Sequence, residues 1–288
     1  MILLWQQIVN GISIGSIYAL ISMGLAMVYG IMRILHVAHA GIYTIGAYLG
    51  LYFFRLTGDL FLSTLLSMFI CALIGVIVQR FVYYPLLRFP PFVPLIAGIA
   101  MFLSIGELCR LIAGPYPLSF PARVPLPSFN LAGVSISPVQ GMIFLSTGVI
   151  LLLQWFITSK TSFGLMMKAS SQDMEMAESS GINLKMVVAM TFALGSAFAA
   201  IAGILVGINY NQVYPTMGDM PAYKSLALIV VGGLSSVSGA VVASLLLGIA
   251  ETLLIGYAKI PLPRDALAFI AMIAVLLLRP QGIFGRRR

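Results

Sequence analysis

Two histidines and eight acidic side chains supply most of the acid–base and metal-binding capacity of this 288-residue chain, and their spacing narrows what they could do. His36 and His39 stand three apart at a polar interruption between apolar runs. Two imidazoles make a thin metal set, and the same pair serves equally well as hydrogen-bonding groups at a helix break. Glu107 and Arg110 are also three apart, which puts them on one helical face as an ion pair near a membrane edge. Cys71 and Cys109 lie inside apolar segments and read as small buried hydrophobes. The chain has no GxSxG, no phosphate-binding glycine loop, no metal-ligand cluster and no paired acids inside an apolar run. Catalysis, a metal site and a cofactor of its own are therefore not expected. Any active transport would draw its energy from a gradient or from another polypeptide.

The densest polar grouping is residues 159–185, which carry Asp173, Glu175 and Glu178 among Lys160, Lys168 and Lys185. The stretch has the build of one surface helix of about ten residues. Ser170 or Ser171 would cap its start, Asp173 and Glu175 would lie in the first turn where the dipole favours anions, and Gly181 would end it. Met166, Met167, Met174 and Ala177 give it an apolar side. Two readings fit: an ordinary amphipathic loop, or a docking helix that fills a groove on a partner.

What holds these groups is a membrane protein. The chain is 60% hydrophobic and 8% charged, against about 25% charged in a soluble domain. Its apolar windows of about twenty residues match a hydrocarbon core of about 30 Å. The runs are continuous, which excludes the alternation of a barrel, and MILLWQQ has no basic start of the kind a cleavable signal uses. The pattern predicts an all-α polytopic permease-like domain over 1–288 with about eight spans. Six are near residues 6–30, 41–54, 60–78, 92–112, 139–157 and 186–208. A hairpin over 222–257 and a last span over 264–278 complete the set. The hairpin is broken by GGLSSVSG at 232–239, read as an unwound turn at membrane depth between a half helix and a returning helix. Gly11, Gly15 and Ala19, and again Gly195, Ala199, Gly203 and Gly207, recur at four-residue intervals and give narrow faces for close helix packing. Residues 55–59 and 79–91 read as connections, and 113–138, rich in proline, as an extended packed cap.

The net charge of +8 reads as topology rather than as a nucleic-acid footprint. Arg33, Arg80, Arg88, Lys160, Lys168, Lys185, Arg279 and Arg286 to Arg288 fall on the side of residues 159–185. Arg55, Arg110, Arg123, Lys224, Lys259 and Arg264 fall on the other. Positive charge favours the cytoplasm, which places 159–185 inside and the 113–138 loop in the periplasm. It also requires residues 222–257 to enter and leave on one side.

Several pieces then resemble one family in order and spacing. KASSQDMEMAESSGIN (168–183), GSIYAL (15–20), MVYG (27–30), AH (38–39), YTIGAY (43–48), TFALG (191–195), VGGLSSVSGA (231–240) and RPQGIFG (279–285) are similar to permease subunits of bacterial branched-chain amino acid ABC importers. The H-type subunit is the nearer match, and the fold implied is type II-like. The resemblance implies a multi-pass subunit of the bacterial inner membrane. Its partners would be a homologous second permease, two cytoplasmic ATPases that bind ATP-Mg, and a periplasmic solute-binding protein. It also implies a coupling role for Ala169, Asp173, Ala177, Gly181 and Asn183. The translocation path is expected along His36, His39, Gly41 and Tyr43 and along Gly232, Gly233, Ser235, Ser236 and Gly239, where interrupted helices offer partial charges.

One departure bears on the solute. Members of the family commonly read Asn-Phe-Ala-His-Gly-Glu where this chain has His36, Val37, Ala38, His39, Ala40 and Gly41, so an acid is missing. An amide, a urea-like solute or an aromatic carboxylate then stand beside an amino acid as cargo. A gradient-driven secondary transporter is the alternative function, and it would need a coupling carboxylate inside a span, for which Glu107 and Glu251 are the candidates. A purely structural scaffold would have no need of broken helices.

Overall fold

Long apolar runs with no internal proline propagate as single helices, and where proline, glycine or a capping side chain interrupts them the chain turns. The computed structural model describes residues 2–122, 124–131, 133–258, 263–279 and 281–285. Helix α1 covers Ile2–Met32, α2 Ala38–Thr57 and α3 Leu60–Val78, which continues through a π-helical turn, Gln79–Tyr83, into the short α4, Tyr84–Leu86. Then come α5 (Phe92–Ala113), the antiparallel strands β1 (Phe129–Leu131) and β2 (Val134–Ile136), and α6 (Pro138–Lys160). The polar stretch forms α7 (Ser162–Gln172) and α8 (Met174–Ser179), followed by α9 (Leu184–Asn209). The hairpin is α10 (Asp219–Gly232) and α11 (Val237–Thr252), with a second π turn, Leu253–Tyr257, before α12 (Arg264–Leu278).

Six of these helical segments are long and apolar enough to cross a membrane. In the best windows of α1 and α9, 83% and 78% of residues are buried, against 22–28% for α3, α5 and α6. The first two are thus the inner pair and the other three the periphery. The protein is an all-α multi-pass membrane protein with a small β-hairpin at one end.

Glycine and alanine set how closely the inner helices meet. A Cβ at Gly15 would lie 2.8 Å from Leu245 Cα, and one at Gly24 2.8 Å from Gly195 O. Gly46 packs on Ala200, and Gly203 on the Tyr43 carbonyl. The face of α9 that carries Gly195, Ala199, Gly203 and Gly207 is buried and turns toward α1 and α2 through its first and third members.

Several connections differ from expectation. Residues 55–59 are mostly helix: α2 runs to Thr57, Gly58 takes φ 69°, and Asp59 caps α3 by accepting from Phe61 N (2.7 Å) and Leu62 N (3.1 Å). Residues 79–86 extend α3 rather than leaving the bundle. The GGLSSVSG turn is not halfway along the spans. It lies at the end of the bundle where α1 finishes, with Gly30 near Ser235 O. The element that begins at mid-depth is α10, because residues 210–218 dip into the bundle and set Gly218 against Ala40 O and Thr44 Oγ1, where an added Cβ would lie 2.6 Å from each. In the 113–138 loop Phe120 is only 1% exposed, Leu118 pairs with Val213, and Gln6 bonds both backbone groups of Ser135. Arg123, Lys259, Pro280 and Arg286 to Arg288 lie outside the described residues.

Candidate coupling segment and translocation path

The polar stretch is two helices because Asp173 breaks it. Its backbone is extended (φ −151°), its N–H still closes α7 onto Ala169 O, and its carboxylate accepts from Met176 N (3.0 Å) to start α8. Ser170 and Ser171, expected as caps, turn their hydroxyls back to Met166 O and Lys168 O, each at 2.8 Å. Gly181 (φ 85°) closes α8, with Ile182 N donating to Ala177 O. Asn183 caps α9 by accepting from Met186 N (3.2 Å). Ala177 is buried and Ala169 half-buried. The five residues expected to couple shape the segment, and three of them, Asp173, Gly181 and Asn183, are themselves exposed; Leu165, Lys168, Gln172, Glu175, Met176 and Glu178 also face outward. Leu165 and Met176 are 69% and 66% exposed.

Behind this segment lies the first break. Arg33, in the left-handed region (φ 54°), extends its guanidinium to Ser171 O (3.4 Å) and Gln172 O (3.5 Å), the last carbonyls of α7. A cation there complements the negative end of the helix. His36 and His39 are both buried. His36 Nδ1 meets Tyr83 Oη at 2.8 Å, inside the first π turn, and its ring lies 4.8 Å from that of Phe192. His39 Nε2 donates to Ile21 O (3.1 Å), since a carbonyl only accepts. His36 Nε2 and His39 Nδ1 are enclosed without a hydrogen-bond partner among the described residues. The imidazoles thus fix the linker between α1 and α2 against α1, α9 and the π turn.

Of the expected path residues, Gly41 alone lines an open polar recess. The recess, of about 110 Å³, is bounded by Gly41 and Thr44 of α2, Phe102, Leu103, Gly106, Glu107 and Arg110 of α5, and Pro215, Thr216 and Asp219 at the start of α10. Glu107 and Arg110 pair at 3.1 Å. Tyr43 is buried beneath Gly203. Gly232, Gly233, Ser235, Ser236 and Gly239 belong to the opposite end, where Gly232 and Gly239 cross backbone to backbone and Ser236 Oγ accepts from Gly239 N (3.0 Å) to cap α11. The tail folds onto this turn: Ile283 N donates to Val231 O (2.8 Å), Phe284 N to Gly232 O (3.2 Å), and Gly282 rides over Gly233, which holds φ 106°.

Sequence reasoning missed a charged cluster at the centre. Lys224, 2% exposed, reaches Glu251 Oε1 at 2.8 Å, Tyr18 Oη at 2.8 Å and Asp265 Oδ1 at 3.3 Å, the last an ionic contact rather than an aligned hydrogen bond. Tyr18 Oη donates to Glu251 Oε2 (3.1 Å). Lys224 is therefore a core group tying α10 to α1, α11 and α12, not a charge of the outer side. Removing it from the topology count sharpens the positive bias toward the α7–α8 end.

Residues 7–276 match the family model described as branched-chain amino acid transport system / permease component. The chain is 33% identical to the high-affinity branched-chain amino acid transport system permease protein BraD of Pseudomonas aeruginosa, over 98% of this chain and 95% of that one. It is 31% identical to the permease protein LivH of Salmonella typhimurium over the same shares. It is 27% identical to a probable LivH of Methanocaldococcus jannaschii over 97% and 92%. On these matches the chain belongs to the branched-chain amino acid transport system permease family.

Proposed function

We propose that this protein is the membrane-spanning permease of an ATP-driven importer for branched-chain amino acids or a related small polar solute. It would act in the bacterial inner membrane beside a second homologous permease. Two cytoplasmic ATPases would bind and hydrolyse ATP-Mg, and a periplasmic binding protein would deliver the solute. The observation that carries the reading is the α7–α8 pair. Two short helices with outward apolar side chains sit between two spans, in a chain with no nucleotide-binding motif of its own. Leu165 and Met176 suit a hydrophobic cleft, with Glu175 and Glu178 at its rim. Arg33 carries movement of α7 to the α1–α2 linker. The gradient-driven alternative loses support, since Glu251 is ion-paired with Lys224 and Glu107 with Arg110.

Met176→Glu puts a charge on the proposed docking face at an exposed site, so stability should change by no more than about 0.5 kcal/mol. Co-purification of the ATPases and solute uptake should fall at least about ten-fold, the equivalent of about 1.4 kcal/mol. Gly181→Leu, which forces a branched side chain into a positive-φ position, should do the same by misplacing α8. A Met176→Glu complex that assembles and transports like the parent would rule out this dock.

A further inference from the structure

We infer that the turn between α3 and α5, together with the start of α9, binds the headgroup of an anionic phospholipid in the leaflet on the α7–α8 side. The inference concerns this chain's own surface and holds whether or not the importer reading does. Its starting point is a pair of like charges held on one ring. Arg80 lies in the first π turn and Lys185 in the first turn of α9. Arg80 Cζ is 5.5 Å and Lys185 Nζ 5.8 Å from the centroid of the Tyr84 ring. Both distances are inside the range of about 6 Å over which a ring face attracts a cation, and they keep the two charges no more than about 11 Å apart. Arg88 lies in the same way over Phe89, at 5.1 Å. All three cations are exposed, and among the described residues no acidic side chain pairs with any of them. The rings gather positive charge without neutralising it, and that leaves a place for an anion.

The surroundings select a lipid as that anion. Leu73, Ile77 and Phe81 are exposed at four-residue intervals along α3 and the π turn, and Phe92 and Ile96 continue an exposed apolar face on α5. In a chain that spans the membrane, such a face meets hydrocarbon. Between the two helices the chain turns at Pro90 and Pro91, and Arg80 and Arg88 stand at that turn, where long basic side chains reach from an apolar surface to headgroup level. Met186 and Met190, both exposed, carry the same boundary across the start of α9 beside Lys185. An acyl chain can therefore lie along the apolar face while its phosphate sits between the cations, the guanidinium offering paired N–H groups and the ammonium a point charge. Basic groups between spans on this side of a membrane recognise anionic headgroups in this way. Lys160 over Trp155 (5.7 Å) brings only one cation to its ring. A headgroup at Tyr84 would bridge the start of α9 to the π turn, whose Tyr83 is bonded to His36.

The test is native mass spectrometry of the detergent-purified full chain, titrated with dioleoylphosphatidylglycerol or dioleoylphosphatidylcholine and read as the affinity of the first bound lipid. The parent should bind the phosphatidylglycerol at least about ten-fold more tightly, since each basic residue beside an anionic headgroup contributes about five-fold. Arg80→Gln with Lys185→Gln should bring the two lipids within about two-fold of each other, and melting should not change because both side chains are exposed. Lys160→Gln with Lys168→Gln removes the same charge from the same end and should leave the preference within about two-fold of the parent's. Equal binding of the two lipids by the parent would overturn the site. So would an equal loss in the control pair, which would make net charge rather than this geometry the attraction. Glycerol 3-phosphate, added at constant ionic strength, should leave the preference intact. A preference that it abolishes would make a free phosphate ester the ligand and overturn the lipid assignment. The preference should also persist when the chain is extracted together with its partner subunits. Its loss there would mean that a protein covers the turn, and would overturn the proposal.

Discussion

Lys224→Met is expected to leave little folded protein. Methionine fills much of the same volume but removes the cation that neutralises Glu251, whose side chain is 1% exposed. Breaking a buried pair by removing one partner costs about 3–5 kcal/mol, because the remaining charge stays buried without its counter-ion. The partners lie on four different helices, α1, α10, α11 and α12, so the loss loosens the whole inner half. A double variant, Lys224→Met with Glu251→Met, should recover most of the lost stability, since hydrophobic replacement of an entire buried pair is often close to neutral. Melting in detergent, followed by size-exclusion profiles, separates the cases. Equal melting of Lys224→Met and parent would show that the cluster is not what holds these helices.

Gly248→Val should be nearly as damaging, for a steric reason. A Cβ at 248 would lie 2.5 Å from Gly11 O and from Gly15 N, and 2.6 Å from Gly15 Cα. All three are backbone atoms, so no rotamer change makes room and α11 must move off α1. Overpacking costs about 1–3 kcal/mol and occasionally more, and the upper end is expected where the obstacle is a helix backbone. The control is Gly148→Val on α6, where nothing lies within 4 Å. It should change stability by no more than about 0.5 kcal/mol. If both valines behave alike, the α1–α11 contact is looser than the geometry states.

Much of this architecture is legible in the sequence because hydrophobic length and glycine spacing are local signals. The spans at α1, α5, α6 and α9, the hairpin with its glycine turn, and the polar segment between α6 and α9 all follow from them. The depth of the glycine turn does not. It depends on where α10 begins, which Gly218 packing against Ala40 decides. The split of the polar stretch is ambiguous in SSQD, where three residues compete to cap, and Asp173 wins because its carboxylate reaches Met176 N while both serines bond backward. The Lys224 cluster joins positions 27 and 206 residues apart, a coincidence that no window contains. The recess has the same character. Glu107 and Arg110 are visible as a pair, but Thr44, Thr216 and Asp219 come from elements whose meeting is a product of the fold.

In the importer proposed above, energy reaches this chain from a separate ATPase through α7 and α8. The most direct measurement of that coupling is uptake by proteoliposomes that hold the permease pair and ATPases with ATP-Mg inside, with binding protein and labelled L-leucine, isovaleramide or isovalerate outside. Accumulation should require ATP hydrolysis, vanish when the ATPases are omitted, and drop at least ten-fold with Met176→Glu. Accumulation by this chain alone, driven by an ion gradient and indifferent to ATP, would contradict it.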